Sequence, residues 1–290
     1  MAGFTLAALL LAQAAAVAPD VEVRALTVTI LDEEGAPISG LGTEDVAITE
    51  NGVARDITSF KPDERPLTVA VIVDVSRPMA TGFRLHALPA VTAFISRLPA
   101  GTRYAVWTSS DCPRKILDYT EDPAEAAKAL RRVAPRGGNY MLDALVEASE
   151  DLSKNVREGD RTAVLAVTGT GPDYSNLDRF RAADEAAENA DLYLAVQVDV
   201  GTADFQTRSN LSHVFDELAR KSGGAYDVIL TFMGTDPALR KLSPYLEAGY
   251  RLAYATVPDL KKREIEVEVA QPGTEIHLPV GTEAASEIDF

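Results

Sequence analysis

Cysteine and histidine are scarce in this chain of 290 residues, and their scarcity narrows the kinds of site it can hold. The single cysteine, Cys112, cannot form an internal disulfide. The three histidines, His86, His213 and His277, show no metal-ligand spacing to one another or to carboxylates. The sequence also lacks a Gly-x-Ser-x-Gly motif. A disulfide framework, a histidine-based metal centre and an α/β-hydrolase are therefore not expected.

Basic residues are in the minority. The sequence has 28 Lys and Arg against 44 Asp and Glu, which gives a formal net charge of −16. Such a chain repels nucleic acid and anionic membrane surfaces, so neither is expected as a partner. Acidity of this kind keeps a protein soluble, and a cationic partner is the more specific alternative. The remaining composition, 46% hydrophobic and 25% charged residues, is typical of a globular protein with a full core.

The beginning of the chain lacks charge altogether. Residues 2–18 are rich in alanine and leucine. This segment is shorter than a typical transmembrane helix and is typical of the apolar part of a secretory signal peptide. Small residues at 12–14 and 14–16 offer cleavage sites. No Lys or Arg follows Met1, which keeps two alternatives open, an uncleaved anchor and a misassigned start. We predict that residues 1–18 are a signal peptide and that the protein is exported, to the periplasm or out of the cell.

Strand and turn signals divide the rest of the chain into three segments. Residues 20–64 combine short apolar runs with turn signals, among them the hairpin dipeptide Asn51-Gly52. Residues 66–247 alternate strands with amphipathic helices, which is typical of a parallel sheet. Residues 249–285 return to strand character. Because neither β segment has enough strands to bury a face alone, we predict that the two pair into one small β module.

The stretch 67–76 is the most informative part of the α/β segment. Its apolar, β-branched residues predict a strand buried on both faces, and the run ends at Asp74 and Ser76. Open α/β sheets bind their ligands just beyond the carboxyl ends of the strands. Asp74 and Ser76 therefore occupy the expected position of a site.

The order of these motifs resembles the von Willebrand factor A-related proteins of exported bacterial type. The resemblance is carried by residues 35–41, 45–52, 57–60, 66–76 and 137–144. It implies an α/β fold with a Rossmann-like, doubly wound, mostly parallel sheet. A small β module built from the N- and C-terminal segments would accompany that sheet.

The resemblance also implies a metal-ion-dependent adhesion site. In the family, an Asp-x-Ser-x-Ser loop, a threonine and a later aspartate typically surround a divalent cation such as Mg²⁺, which prefers hard oxygen ligands. Asp74 and Ser76 match the first two positions. Pro78 stands where the second serine belongs, and its side chain has no oxygen.

The two remaining ligand positions also depart from the family pattern. Asn139 stands at the threonine position, where its amide oxygen could coordinate. The sequence 168–170 replaces the family's Thr-Asp-Gly and loses the second carboxylate, while Asp173 follows a few residues later. Asp74, Ser76, Asn139 and Asp173 thus form a degenerate metal site, and no tightly bound cofactor is expected. Two alternatives for Asp74 and Ser76 are capping of backbone donors, and neutralisation of Asp74 by Arg77.

We therefore predict a non-enzymatic module that binds a partner protein through the loops at the carboxyl edge of the sheet. Arg77, Tyr140 and Tyr174 are the predicted anchors, because Arg and Tyr are enriched at interfaces. One alternative is a metal-dependent adhesion domain that uses Asp74. The other is a small-molecule enzyme with Asp74 as acid/base and residues 169–171 as an anion cradle; a deep pocket around Asp74 would favour it.

Overall fold

The computed structural model of the chain describes residues 22–201, 205–258 and 263–279. The strands are β1 (Glu22–Asp32), β2 (Val46–Glu50), β3 (Val53–Ala54), β4 (Ile57–Pro62), β5 (Leu67–Asp74), β6 (Arg103–Ser109), β7 (Arg114–Thr120), β8 (Arg161–Gly169), β9 (Leu192–Val198), β10 (Ala225–Ile229), β11 (Gly249–Thr256), β12 (Ile265–Val269) and β13 (Thr274–His277). The α-helices are α1 (Leu88–Arg97), α2 (Pro123–Arg131), α3 (Met141–Asn155), α4 (Arg179–Ala187), α5 (Phe205–Ser222), α6 (Thr235–Leu242) and α7 (Pro244–Glu247).

A six-stranded sheet forms the centre of the α/β segment, with the order β10-β9-β8-β5-β6-β7. Its strands run parallel except β7, which pairs antiparallel with β6 at one edge. Every residue of β5 and β8 is buried, because helices cover both faces of the sheet. The predicted α/β class, with a doubly wound and mostly parallel sheet, is confirmed.

The helices divide into two layers, each with its own apolar core. Side chains of α1, α2 and α6 pack on one face of the sheet, and those of α3, α4 and α5 pack on the other. The odd-numbered apolar residues of β5 enter the first core, whereas Ala70 and Ile72 enter the second. This follows from the alternation of side chains along a strand. The sheet therefore holds the ends of β5, β6 and β8 in fixed relative positions.

Strands from both ends of the described chain meet in two smaller sheets. β11 lies between β1 and β4 in a four-stranded sheet, and β12 pairs with β2 in a three-stranded sheet. Asn51 and Gly52, both with positive φ, form the tight turn between β2 and β3. The rings of Phe60 and Tyr250 stack at 4.7 Å between centroids in the core of this β module.

The buried carboxylate of Glu50 helps to join the two smaller sheets. It accepts hydrogen bonds from Arg55 Nε at 3.0 Å and from the Tyr254 hydroxyl at 3.1 Å, and from Arg263 and Thr256. Burial alone would raise the pKa of Glu50, but these hydrogen bonds and the Arg263 charge hold it below its usual range. Glu50 is therefore a charged, fully hydrogen-bonded link within the β module.

Two helical regions extend beyond the predictions. Apolar periodicity predicts a helix only over residues 214–221, whereas α5 begins at Phe205. The prediction is too short because residues 206–210 are polar and give no apolar repeat. No element is predicted for residues 230–247, yet α6 and α7 lie there and bury Leu239 and Leu246 in the first core. Each is short, and Pro237 and Pro244 weaken the local signal.

The predicted signal peptide, residues 1–18, lies outside the described residues. Within the described residues, no helix is long and apolar enough to cross a membrane.

Candidate functional site

The carboxyl ends of three neighbouring strands bring polar side chains to one edge of the central sheet. Asp74 ends β5, Ser109 ends β6 and lies opposite Asp74, and Thr168 lies at the end of β8. All three are buried, and Asp74 is only 1% exposed. This is the edge at which parallel α/β sheets place their sites.

Both carboxylate oxygens of Asp74 accept hydrogen bonds from the protein. Oδ1 accepts the backbone N–H of Ser76 at 2.7 Å. Oδ2 accepts the Thr168 hydroxyl at 2.9 Å and the backbone N–H of Gly169 at 3.0 Å. Burial raises the pKa of Asp74, and these hydrogen bonds act in the opposite direction. The Ser76 hydroxyl is buried and makes no hydrogen bond of normal geometry within the described chain.

Asn139 extends this network away from Asp74. Its Nδ2 donates to Thr168 Oγ1 at 3.0 Å, and its Oδ1 accepts the Ser109 hydroxyl at 2.5 Å. Ser109 Oγ also accepts the backbone N–H of Tyr140 at 2.9 Å, so its own proton is available for Asn139 Oδ1. The amide nitrogen of Asn139, not its oxygen, therefore faces Thr168 and Asp74.

Asp173 lies at the N-terminus of α3. Its carboxylate accepts the backbone N–H groups of Met141 at 2.7 Å and Ser175 at 3.0 Å. Tyr140, at the N-cap position of α3, provides no side-chain cap, so Asp173 supplies one from a distant loop. Burial raises the pKa of Asp173, and these hydrogen bonds act in the opposite direction.

The three predicted anchors line one cleft above this network. Arg77, Tyr140 and Tyr174 share a cavity of about 510 Å³ with Pro78, Asp111, Gly137, Gly138, Asn139 and Pro172. The ring centroids of Tyr140 and Tyr174 are 6.4 Å apart. A Cβ at Gly138 would lie 2.6 Å from the Tyr174 ring, so the absence of a side chain there lets the ring approach the backbone. Asp74 does not line this cleft.

Comparison with known proteins identifies the α/β segment. Residues 69–172 match the family model described as von Willebrand factor type A domain. The match assigns residues 69–172 to the von Willebrand factor A (VWA) family, and the α/β segment that contains them has the VWA fold. Such domains generally serve as adhesion or interaction modules. No curated protein sequence matches the chain.

Solved structures share the VWA fold at low sequence identity. Proximal thread matrix protein 1 from the mussel byssus, solved with a zinc-occupied MIDAS motif, is 16% identical with a TM-score of 0.52. That alignment covers 69% of this chain and 49% of the mussel protein, so the chain spans about half of its length. A von Willebrand factor type A protein from Catenulispora acidiphila is 13% identical with a TM-score of 0.54, over 91% of this chain and 72% of that one. At these identities the likeness concerns the fold alone.

Most side-chain oxygens at the VWA metal position are engaged within the described part of the protein, whereas the buried Ser76 hydroxyl is not. Both Asp74 oxygens accept hydrogen bonds from N–H or O–H donors, and the Asn139 oxygen accepts a hydrogen bond from the Ser109 hydroxyl. The Asp173 carboxylate accepts the backbone N–H of Met141 at the start of α3. Pro78 offers no side-chain oxygen. Octahedral coordination needs several such oxygens directed at one point. Within the described ranges, no group of three or more His, Cys, Asp or Glu side chains could hold a metal ion.

The two alternatives proposed for Asp74 have different outcomes. Asp74 does satisfy backbone donors, those of Ser76 and Gly169. The Ser76 side chain makes no cap hydrogen bond to the turn that follows it. Neutralisation by Arg77 is wrong, because Arg77 is exposed and makes no ion pair with any residue in the described part of the chain.

Three residues that orient side chains or loops at this edge were not predicted from the sequence. Thr168 and Ser109 orient Asp74 and Asn139. Asp143, in the first turn of α3, accepts the backbone N–H groups of Asn176 at 3.0 Å and Leu177 at 3.0 Å, and so holds the loop that carries Tyr174. The signal for Ser109 and Thr168 was their position at strand ends next to that of Asp74; Asp143 offered no comparable signal.

Proposed function

We propose that the protein is an exported, non-enzymatic VWA module that binds a partner protein through the cleft of Arg77, Tyr140 and Tyr174. The observation that carries the proposal is the convergence of these three side chains, from separate loops, on one cleft at the carboxyl edge of the sheet. Tyr174 is 57% exposed, and Arg and Tyr, together with Trp, are enriched at the energetic centre of interfaces.

The network beneath the cleft supports a role without catalysis and without a tightly bound metal. Asp74 is the acid that an enzyme or a cation would require, but it is 1% exposed and its oxygens accept three hydrogen bonds. A general acid or base must reach the proton that it transfers. Nothing in the sequence favours nucleic acid or lipid as the partner, since the chain carries a net charge of −16.

Site-specific photo-cross-linking in the source cell tests the binding face. A photoreactive phenylalanine analogue would replace Tyr140 or Tyr174, with Val53 as control, because Val53 in the β module is 53% exposed. We expect one defined protein adduct from positions 140 and 174 and none from 53. The purified partner should then bind Tyr174→Ala at least about tenfold more weakly than wild type. Equal adducts from all three positions, or adducts only from 53, would contradict the proposal.

Export is tested separately by N-terminal sequencing of the protein recovered from the cell envelope and the medium. We expect a mature chain that begins after residue 14 or 16, where the small residues of the predicted signal lie. A chain that retains residues 1–18 in the cytoplasm would contradict this part of the proposal.

A further inference from the structure

Two arginines at the carboxyl edge of the sheet have exposed side chains without a partner among the described residues. Arg77 and Arg136 are exposed, and neither side chain makes an ion pair or hydrogen bond with any residue of the described ranges. Backbone hydrogen bonds from Arg77 N to Gly137 O (3.1 Å) and from Arg136 N to Val75 O (2.8 Å) join the two segments. In a chain of net charge −16, two neighbouring unpaired cations form a distinctive surface.

The walls of the cleft add neutral donors beside Arg77. The hydroxyl groups of Tyr140 and Tyr174 make no hydrogen bond to another residue in the part of the chain that the structure describes. The acidic member of the lining, Asp111, accepts the backbone N–H of Gly138 at 3.3 Å. A cleft of about 510 Å³ is within the size range of ligand sites and admits a short segment of a partner.

We propose that this cleft recognises a carboxylate on an acidic peptide segment of the partner, held directly by the Arg77 guanidinium. A guanidinium binds a carboxylate through two parallel N–H···O hydrogen bonds, which give both strength and direction. The Tyr140 and Tyr174 hydroxyls donate further hydrogen bonds, and Arg136 adds positive potential nearby. The inference rests on the proposed function and names the partner chemistry at the same cleft.

Recognition by Arg77 has a consequence that separates it from cation-mediated binding. The guanidinium is part of the chain and stays charged at any physiological pH, so chelators leave the site intact. Asp111 is the nearby charge that opposes an incoming carboxylate, and its removal should strengthen binding. A basic ligand would show the reverse dependence on Asp111.

Titration of the isotope-labelled full chain with short peptides, followed by NMR, tests the proposal. The probes are acetyl-Gly-Gly-Asp-Gly-Gly-amide, the same peptide with Asn, and acetyl-pentaglycine with a free C-terminal carboxylate. We expect the Asp peptide to shift the backbone resonances of Arg77, Gly138, Tyr140 and Tyr174, with EDTA present or absent. The Asn peptide should bind at least about tenfold more weakly. The pentaglycine acid shows whether a terminal carboxylate serves as well as a side chain.

Matched variants assign the effect to Arg77. Arg77→Gln should lower the affinity for the Asp peptide at least about tenfold. Arg220→Gln makes the same change of charge at an exposed arginine in the last turn of α5, which has no partner within the described ranges, and should have no effect. Asp111→Asn should increase the affinity about two- to fivefold while keeping an acceptor for Gly138 N–H.

Three results would overturn the inference. Equal binding of the Asp and Asn peptides to wild type and to Arg77→Gln would mean that the cleft binds segments without reading a carboxylate, and the proposed function would stand. Loss of Asp-peptide binding in EDTA would mean that a cation, not Arg77, holds the carboxylate. Absence of binding by every probe would also overturn it, and the proposed function would then depend on the cross-linking result alone.

Discussion

Replacing Asp74 with alanine should destabilise the VWA domain whether or not a metal is present. The substitution leaves the backbone N–H groups of Ser76 and Gly169 buried without an acceptor. Thr168 can turn its hydroxyl toward Gly169 O, at 3.4 Å, and so keep a partner. Each unpaired buried N–H costs about 1–3 kcal/mol, so the free energy of unfolding should fall by about 2–6 kcal/mol. Since a buried charge disappears as well, we expect the lower half of that range.

Asp74→Asn provides the matched comparison. Its remaining oxygen can still accept Ser76 N–H, but its NH₂ group faces Gly169 N–H, so one unpaired donor remains, at a cost of about 1–3 kcal/mol. The order of stability should therefore be wild type, then Asn, then Ala. Urea unfolding at neutral pH, in EDTA and in millimolar Mg²⁺, measures all three.

Two outcomes would refute this reasoning about Asp74. The first is an alanine variant within about 0.5 kcal/mol of wild type, the range of ordinary surface substitutions. The second is a wild-type protein that Mg²⁺ stabilises while the variants stay unchanged, because a ligand stabilises only the state that binds it. Either result would show that Asp74 does not serve as a buried acceptor of backbone donors.

The pH dependence of stability gives an independent check on Asp74. Its pKa in the folded protein is raised above the usual 3.8, so the native state binds this proton more tightly than the unfolded chain. The contribution of Asp74 to stability should therefore fall as pH rises from about 3.8 through the folded pKa. Asp74→Asn should remove that component, and an unchanged pH profile in the variant would contradict the assignment.

Three further substitutions test other contacts of the structure. Glu50→Gln leaves Arg263 without its buried counter-charge and should lower the free energy of unfolding by about 3–5 kcal/mol. Because the pKa of Glu50 is lowered in the folded protein, wild type should lose this stability as pH falls below about 4.5. A Gln variant whose stability is equally sensitive to acid would contradict this prediction. Asp173→Ala removes the cap from Met141 N–H and should cost about 0.5–2 kcal/mol in urea unfolding, the same with and without Mg²⁺. Gly169→Asp restores the family's second carboxylate, but its Cβ would lie 3.1 Å from two side chains. We therefore expect the free energy of unfolding to fall by about 1–3 kcal/mol and calorimetry to detect no Mg²⁺ binding. Saturable Mg²⁺ binding would show that the site is one carboxylate short of function.

The elements that the sequence predicted well are those whose local pattern has one physical interpretation. The run that ends at Asp74 is apolar at every position, and only a strand covered on both faces buries such a run. The alternation in β12 and the turn at Asn51 are equally local signals. In contrast, α6 is short, and its burial depends on contacts with α1 that no local pattern specifies.

The candidate site shows the same difference between features with a local sequence signal and features that depend on tertiary contacts. Parallel strands place their carboxyl ends together, so the sequence by itself determined that Asp74 would lie at a site edge and that Arg77, Tyr140 and Tyr174 would follow in nearby loops. Only the tertiary structure decided the partners of Asp74, since Thr168 is 94 residues away along the chain. It also decided that the oxygen of Asn139 bonds to Ser109 and that Asp173 caps α3. Hydrogen-bond direction depends on which donors and acceptors meet in space, and that information appears only when distant segments are packed together.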